Sequence, residues 1–154
     1  MTWDEILCNP LLRNLPFKIE TNRFGQLVMT ERTNAQGASQ FAVGRAIDRS
    51  LKNGRISYGC SIMTSDGVKV ASVAWLSDQF LVQHRYATPY LIAPELCVEV
   101  VSSASQPTEV EPKIELYLAK GALEVWVVDG KKKVTFYSHT GRLKKSKLVP
   151  EFKW

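Results

Sequence analysis

Histidine is scarce in this chain: His84 and His139 are the two in 154 residues, and each stands alone in a loop or hairpin context. A histidine-based metal centre is therefore not expected, and neither residue reads as a ligand. Cysteine is also sparse. Cys8, Cys60 and Cys97 lie far apart without a CxxC spacing, and an odd count fits reduced thiols better than a disulfide framework or a zinc site. No basic segment followed by an apolar core opens the chain, and no apolar run approaches membrane-spanning length. Internal repeats and low-complexity linkers are missing too. These absences point to a soluble cytoplasmic protein that forms a single domain over residues 1–154, with residues 1–14 a helical extension and 130–154 a hairpin and basic tail.

What is present is an ordinary globular composition, 45% hydrophobic and 23% charged, with a basic balance of +5 and a pI near 9.2. The excess gathers at the C-terminal end, where Lys131, Lys132, Lys133, Arg142, Lys144, Lys145, Lys147 and Lys153 face only Glu151. Such a stretch suits a phosphate backbone, with Lys131, Lys132 and Lys133 as the nucleic-acid contacts. Solvated lysines on a hairpin and tail are the plainer alternative.

Turn signals and apolar periodicity divide the chain into segments. A short helix is expected within Thr2 to Leu12, then a hairpin of Phe17 to Glu20 and Gln26 to Thr30. A helix follows from about Ala38 to Lys52, stopped by Asn53-Gly54. Arg55 to Met63 and Val68 to Leu76 form a second hairpin around Asp66-Gly67. After a loop with one helical turn near Asp78 to Val82 come strand Leu96 to Ser102, helix Glu109 to Lys120, strand Leu123 to Asp129 and a closing strand Val134 to Ser138. The expectation is an α/β fold whose mixed sheet has one face covered by helices.

Within this pattern Glu99 stands out. It interrupts the β-branched run Cys97, Val98, Val100, Val101, where a bare carboxylate is costly. Lys113, fourteen residues later, opens the next helix, although the helix dipole favours acids there. A carboxylate in a buried strand with a lysine returned toward it suggests metal-dependent cleavage of phosphodiesters.

The segments APELCVEVVS (Ala93 to Ser102), E-x-x-x-K-x-x-L-Y-x-x-x-G-A-x-E-V-W (Glu109 to Trp126) and SDGVKVAxVAWxS (Ser65 to Ser77) resemble the Uma-type family of putative restriction endonucleases. The stretch Phe17-Lys18-Ile19-Glu20 through Gly25, Val28-Met29 and Asn34 is similar to it as well, so the resemblance runs from about Leu15 to Phe152. It implies a PD-(D/E)XK restriction-endonuclease-like fold, a central mixed sheet flanked by helices. It also implies a hydrolase active on DNA with Mg²⁺ or Mn²⁺ as cofactor, and a homodimer. The resemblance makes Glu99, with the backbone carbonyl of Val100, the metal ligands and Lys113 the lysine that helps activate water. In such a site carboxylates hold a hard cation that polarises a phosphate oxygen and a water, while an ammonium steadies the developing charge.

The family's aspartate falls on Ser72, a neutral and weak ligand for Mg²⁺. Glu31 stands where the family often has proline, Gln36-Gly37 where it often has His-Gly, Gly59 where it often has glutamate, and Ser105 in place of an asparagine. A site short of one carboxylate should be net positive and suited to holding phosphate without turnover. Gln36, Gln40 and Ser102 are candidates to support it from behind. Asp66 and Asp78 flank the Ser72 strand and read as turn and N-cap residues rather than a migrated ligand. Trp75 and Trp126 read as core. Three functions stay open: a family member with a degenerate site that binds nucleic acid or nothing and cuts poorly, an active divergent nuclease with a relocated acid, and a non-enzymatic dimeric interaction module.

Overall fold

The computed structural model describes residues 1–102 and 107–154, the side chains of residues 107–109 excepted. Ser105 lies outside the described residues. Two short helices, α1 (Trp3–Cys8) and α2 (Pro10–Arg13), open the chain, each started by a side-chain cap: Thr2 on the Glu5 amide and Asn9 on the Leu11 amide. The single expected helix is thus broken at Asn9, because Pro10 donates no amide and is accepted only as a first-turn residue of a new helix.

Strands β1 (Phe17–Thr21) and β2 (Leu27–Glu31) pair antiparallel as a separate two-stranded sheet. Helix α3 (Asn34–Ser50) begins four residues before the apolar pattern does. Thr33 and Gln36 cap its start reciprocally, each side chain taking the other's backbone amide at 3.1 and 2.9 Å.

The main sheet has six strands in the order β3 (Gly54–Thr64), β4 (Gly67–Ser77), β5 (Leu96–Val100), β6 (Glu124–Val128), β7 (Val134–Ser138) and β8 (Gly141–Leu143). Strands β5 and β6 run parallel, joined through α5 (Pro107–Ala119), and the other neighbours are antiparallel. Helix α4 (Asp78–His84) follows β4, capped by Ser77 on the Phe80 amide. Strand β8 is three residues long and carries too little pattern to be recognised beforehand.

Helices cover both faces of the sheet rather than one. Strand β5 is buried on each side, and successive residues go to different cores. Cys97 joins Ala74, Leu76, Phe80, Ile114 and Tyr117 on the α5 side. Leu96, Val98 and Val100 join Val43, Ile47, Val73 and Trp126 under α3. That double burial is why the sequence reads as a nearly continuous apolar run.

Two contacts position the chain around the site. Gly67, at φ +84° in the β3–β4 turn, passes so close to the Thr21 and Asn22 carbonyls that a Cβ there would lie 2.7 Å from both oxygens. The β1–β2 hairpin is thereby fixed against β4, where Thr21 Oγ1 accepts the Val68 amide at 2.8 Å and Lys69 Nζ donates to the Thr21 carbonyl at 2.8 Å. At the other end of the sheet the buried Glu124 carboxylate accepts from Trp126 Nε1, Ser146 Oγ and the amides of Lys147 and Leu148, fastening the C-terminal segment to β6.

Candidate active site

The antiparallel register of β4 and β5 ends at Val73 opposite Val98, and the next step brings Ser72 beside Glu99 on the α5 side. Ser72 Oγ accepts the Val100 amide at 3.0 Å and lies 3.5 Å from Glu99 Oε2. Helix α5 sends down two residues one turn apart. Tyr117, fully buried, donates its hydroxyl to Glu99 Oε1 at 2.6 Å, and Lys113 Nζ lies 3.7 Å from Glu99 Oε2. Because α5 starts at Pro107, Lys113 occupies its second turn, not its start, and the conflict with the helix dipole is relieved.

Strand β1 contributes a second acid and a second lysine, neither expected in the site. Lys18 Nζ donates to Glu99 Oε2 at 3.1 Å. Glu20 is 2% exposed; its Oε1 meets Lys113 Nζ at 2.7 Å and its Oε2 accepts the Val70 amide at 2.6 Å. Lys18 and Glu20 are alternate residues of one strand and share a side of it, a signal readable in the sequence once β1 is laid against β4.

The cluster therefore holds two carboxylates against two ammoniums and is formally neutral. The expected net positive site is corrected by this count: Ser72 removes one negative charge, but Glu20 supplies another. Burial pushes the Glu99 pKa up, but Lys113, Lys18 and the Tyr117 hydroxyl outweigh it, and the group ends below the usual carboxylate range. Burial pulls Lys113 down, and Glu99 and Glu20 more than reverse that, so its pKa is raised. Tyr117 is pushed well above the ordinary phenol value by burial and by the Glu99 charge, so it serves as a neutral donor.

The other expected residues divide. Gln40, on α3, donates to the Ser72 carbonyl at 2.6 Å and so braces β4 from behind. Gln36 is spent on capping α3 and does not join the cluster. Ser102 lies half-buried just past β5, and Val100 is placed by its pairing with Val128 and its amide bond to Ser72. Lys131, Lys132 and Lys133 are exposed in the β6–β7 turn, where Asp129 Oδ1 accepts the amides of Lys131 and Lys133. Since β5 and β6 are parallel, this turn and the C-terminal end of β5 lie at the same end of the sheet. Asp66 sits in the β3–β4 turn as expected, whereas the expected N-cap role of Asp78 falls to Ser77 and Asp78 lies in the first turn of α4. Trp126 is buried in the core with Phe136 and Phe152 edge-on to it.

Buried acids and lysines thus meet where a central strand of the mixed sheet ends. The family model Uma2, described as a putative restriction endonuclease, matches residues 3–150, so the chain belongs to that family. A crystal structure of a putative nuclease belonging to DUF820 from Anabaena variabilis ATCC 29413 aligns over 100% of this chain and 94% of its own, with a TM-score of 0.77 and 19% identity. No curated protein matches. The fold is the PD-(D/E)XK restriction-endonuclease-like α/β fold.

That family implies a divalent cation, which the residues of this cluster do not fit as they stand. A hard cation requires several oxygen lone pairs aimed at one point about 2.1 Å away. Each of the four oxygens of Glu20 and Glu99 already accepts from a protein donor: Lys113, the Val70 amide, Tyr117 and Lys18 in turn. Among the described residues no group of three or more histidine, cysteine or acidic side chains is placed to hold a metal ion.

Proposed function

We propose that this chain is a restriction-endonuclease-like protein that does not hydrolyse phosphodiesters through the Glu99 site, and that it meets nucleic acid through backbone-binding lysines. The observation that carries this reading is the pairing of every Glu20 and Glu99 oxygen with a protein donor in a cluster of zero net charge. A carboxylate stabilised in its ionised form by two ammoniums and a phenol is a weak base toward water. The ammonium groups, turned to those carboxylates, are poorly placed to steady charge on a phosphate. Ser72 adds a hydroxyl engaged with Val100 and no charge. The exposed lysines of the β6–β7 turn, at the same sheet end, support the nucleic-acid contact.

Incubating supercoiled DNA, single-stranded DNA and RNA with the protein and Mg²⁺ or Mn²⁺ tests the reading. Wild type should cut no faster than its Glu99→Gln variant. Cleavage by wild type that disappears in that variant would overturn it.

One observation favours a second reading, an active divergent nuclease. Glu20 is a carboxylate carried in from another strand and held to Glu99 through Lys113, as a relocated acid would be. On that reading wild type cleaves and Glu20→Gln abolishes the activity. The cluster is polar throughout, so it lends nothing to a dimeric interaction module built on an apolar face.

A further inference from the structure

Lys18 and Ser72 converge on the same atom. The Lys18 ammonium lies 3.1 Å from Glu99 Oε2, and Ser72 Oγ lies 3.5 Å from that oxygen. Lys18 is 15% exposed and Glu99 3%, so the pair sits largely away from water, where a charge without a partner is expensive. Strand β1 has no freedom to withdraw the lysine as a unit, because Glu20 and Thr21 tie it to the amides of Val70 and Val68 and Thr21 also takes Lys69.

We infer that Lys18 is a tethered monocation that takes the place of a divalent ion at Glu99, and that restoring an acid at position 72 is not enough to make a metal site while Lys18 remains. This rests on the reading that the wild-type site is not a working metal centre. The charge count gives the reason. Ser72→Asp leaves Glu20, Glu99 and the new carboxylate against Lys18 and Lys113, a net charge of −1. The new carboxylate would sit beside the oxygen that Lys18 already contacts and would gain the same ammonium as its partner. Adding Lys18→Met removes that competitor, keeps the aliphatic bulk and brings the net charge to −2. Two carboxylate oxygens, one of Glu99 and one of the introduced acid, then face the position the ammonium held. None of these substitutions touches Lys113 or Glu20, which pair at 2.7 Å.

Mn²⁺ binding measured by electron paramagnetic resonance on the full chain tests this, with circular dichroism to verify folding. Ser72→Asp alone should bind Mn²⁺ within about threefold of wild type. Ser72→Asp with Lys18→Met should bind at least tenfold tighter than Ser72→Asp, and adding Glu99→Gln should remove the gain. Lys18→Gln in the wild-type background is a milder variant and should tighten Mn²⁺ binding a few-fold. Ser72→Asp alone binding as tightly as the double variant would overturn the inference. So would folded Lys18 variants that gain nothing. Those results leave the proposed function standing, whereas cleavage by wild type would sink the proposed function whatever the Mn²⁺ titrations give.

Discussion

Ser72 Oγ accepts the amide of Val100 at 3.0 Å, so a side chain continues the β4–β5 pairing after the ladder itself has ended at Val73 and Val98. Ser72 is thus a structural acceptor for a buried amide. Ser72→Ala would strand that amide, a cost of roughly 1–3 kcal/mol. Urea unfolding should give a loss of that size, with a melting temperature lower by about 2–4 °C per kcal/mol in a chain of this length. An unchanged midpoint would mean that water replaces the hydroxyl at no cost.

Lys113 joins two carboxylates from different strands, at 2.7 Å to Glu20 and 3.7 Å to Glu99. Removing it by Lys113→Met leaves the buried Glu20 carboxyl without its cation, at a cost on the order of 3–5 kcal/mol. Lys113→Met combined with Glu20→Gln should be less destabilised than the sum of the two single changes by about 1 kcal/mol or more. Additivity within experimental error would show that Glu20 and Lys113 do not depend on each other.

Asp66 ties the β3–β4 turn to the first hairpin through the amide and guanidinium of Arg23 and the ammonium of Lys69. The Arg23 amide, opposed by burial and helped by the Arg23 and Lys69 side chains, lowers its carboxyl to about 2. A folded-state pKa below the unfolded value of about 3.9 gives stability that is present above pH 4 and lost as pH falls toward 2. Asp66→Asn should therefore cost on the order of 1 kcal/mol near neutral pH, allowing for solvent screening of a partly exposed group, and almost nothing at pH 2. A difference that does not change with pH between 5 and 2 would contradict that account of the turn.

Nucleic-acid binding, if carried by the β6–β7 turn, should depend on salt through Lys131, Lys132 and Lys133. Replacing the three with alanine should flatten the plot of log affinity against log salt by about one slope unit for each phosphate no longer neutralised. The same slope in wild type and variant would assign these lysines to solubility.

Much of the frame can be read from the residues, and the reasons are physical. Glu99 is conspicuous because an ionised group inside a β-branched run must be paired, and Lys113 because it sits on a helix returning to that strand. Tyr117 follows Lys113 by one helical turn on the same face, yet as part of an apolar pattern it looks like core, which it also is. Lys18 and Glu20 are hidden for another reason. A short strand of alternating charged and apolar residues usually shows its charges to water, and nothing local says that this one is pressed against β4 by the Gly67 turn. The neutrality of the cluster is therefore not legible until the hairpin is placed. Likewise Gln36 looks like a site residue by its position, whereas Thr33 three residues before it makes it half of a capping box.

Calorimetric titration of the wild-type protein with Mn²⁺, beside Glu99→Gln, tests the central claim most directly. If all four oxygens of Glu20 and Glu99 are committed to protein donors, both proteins should give only weak, featureless heats into the millimolar range. A single-site isotherm with a sub-millimolar dissociation constant in wild type, absent from Glu99→Gln, would contradict the account and return the cluster to the metal-dependent nucleases.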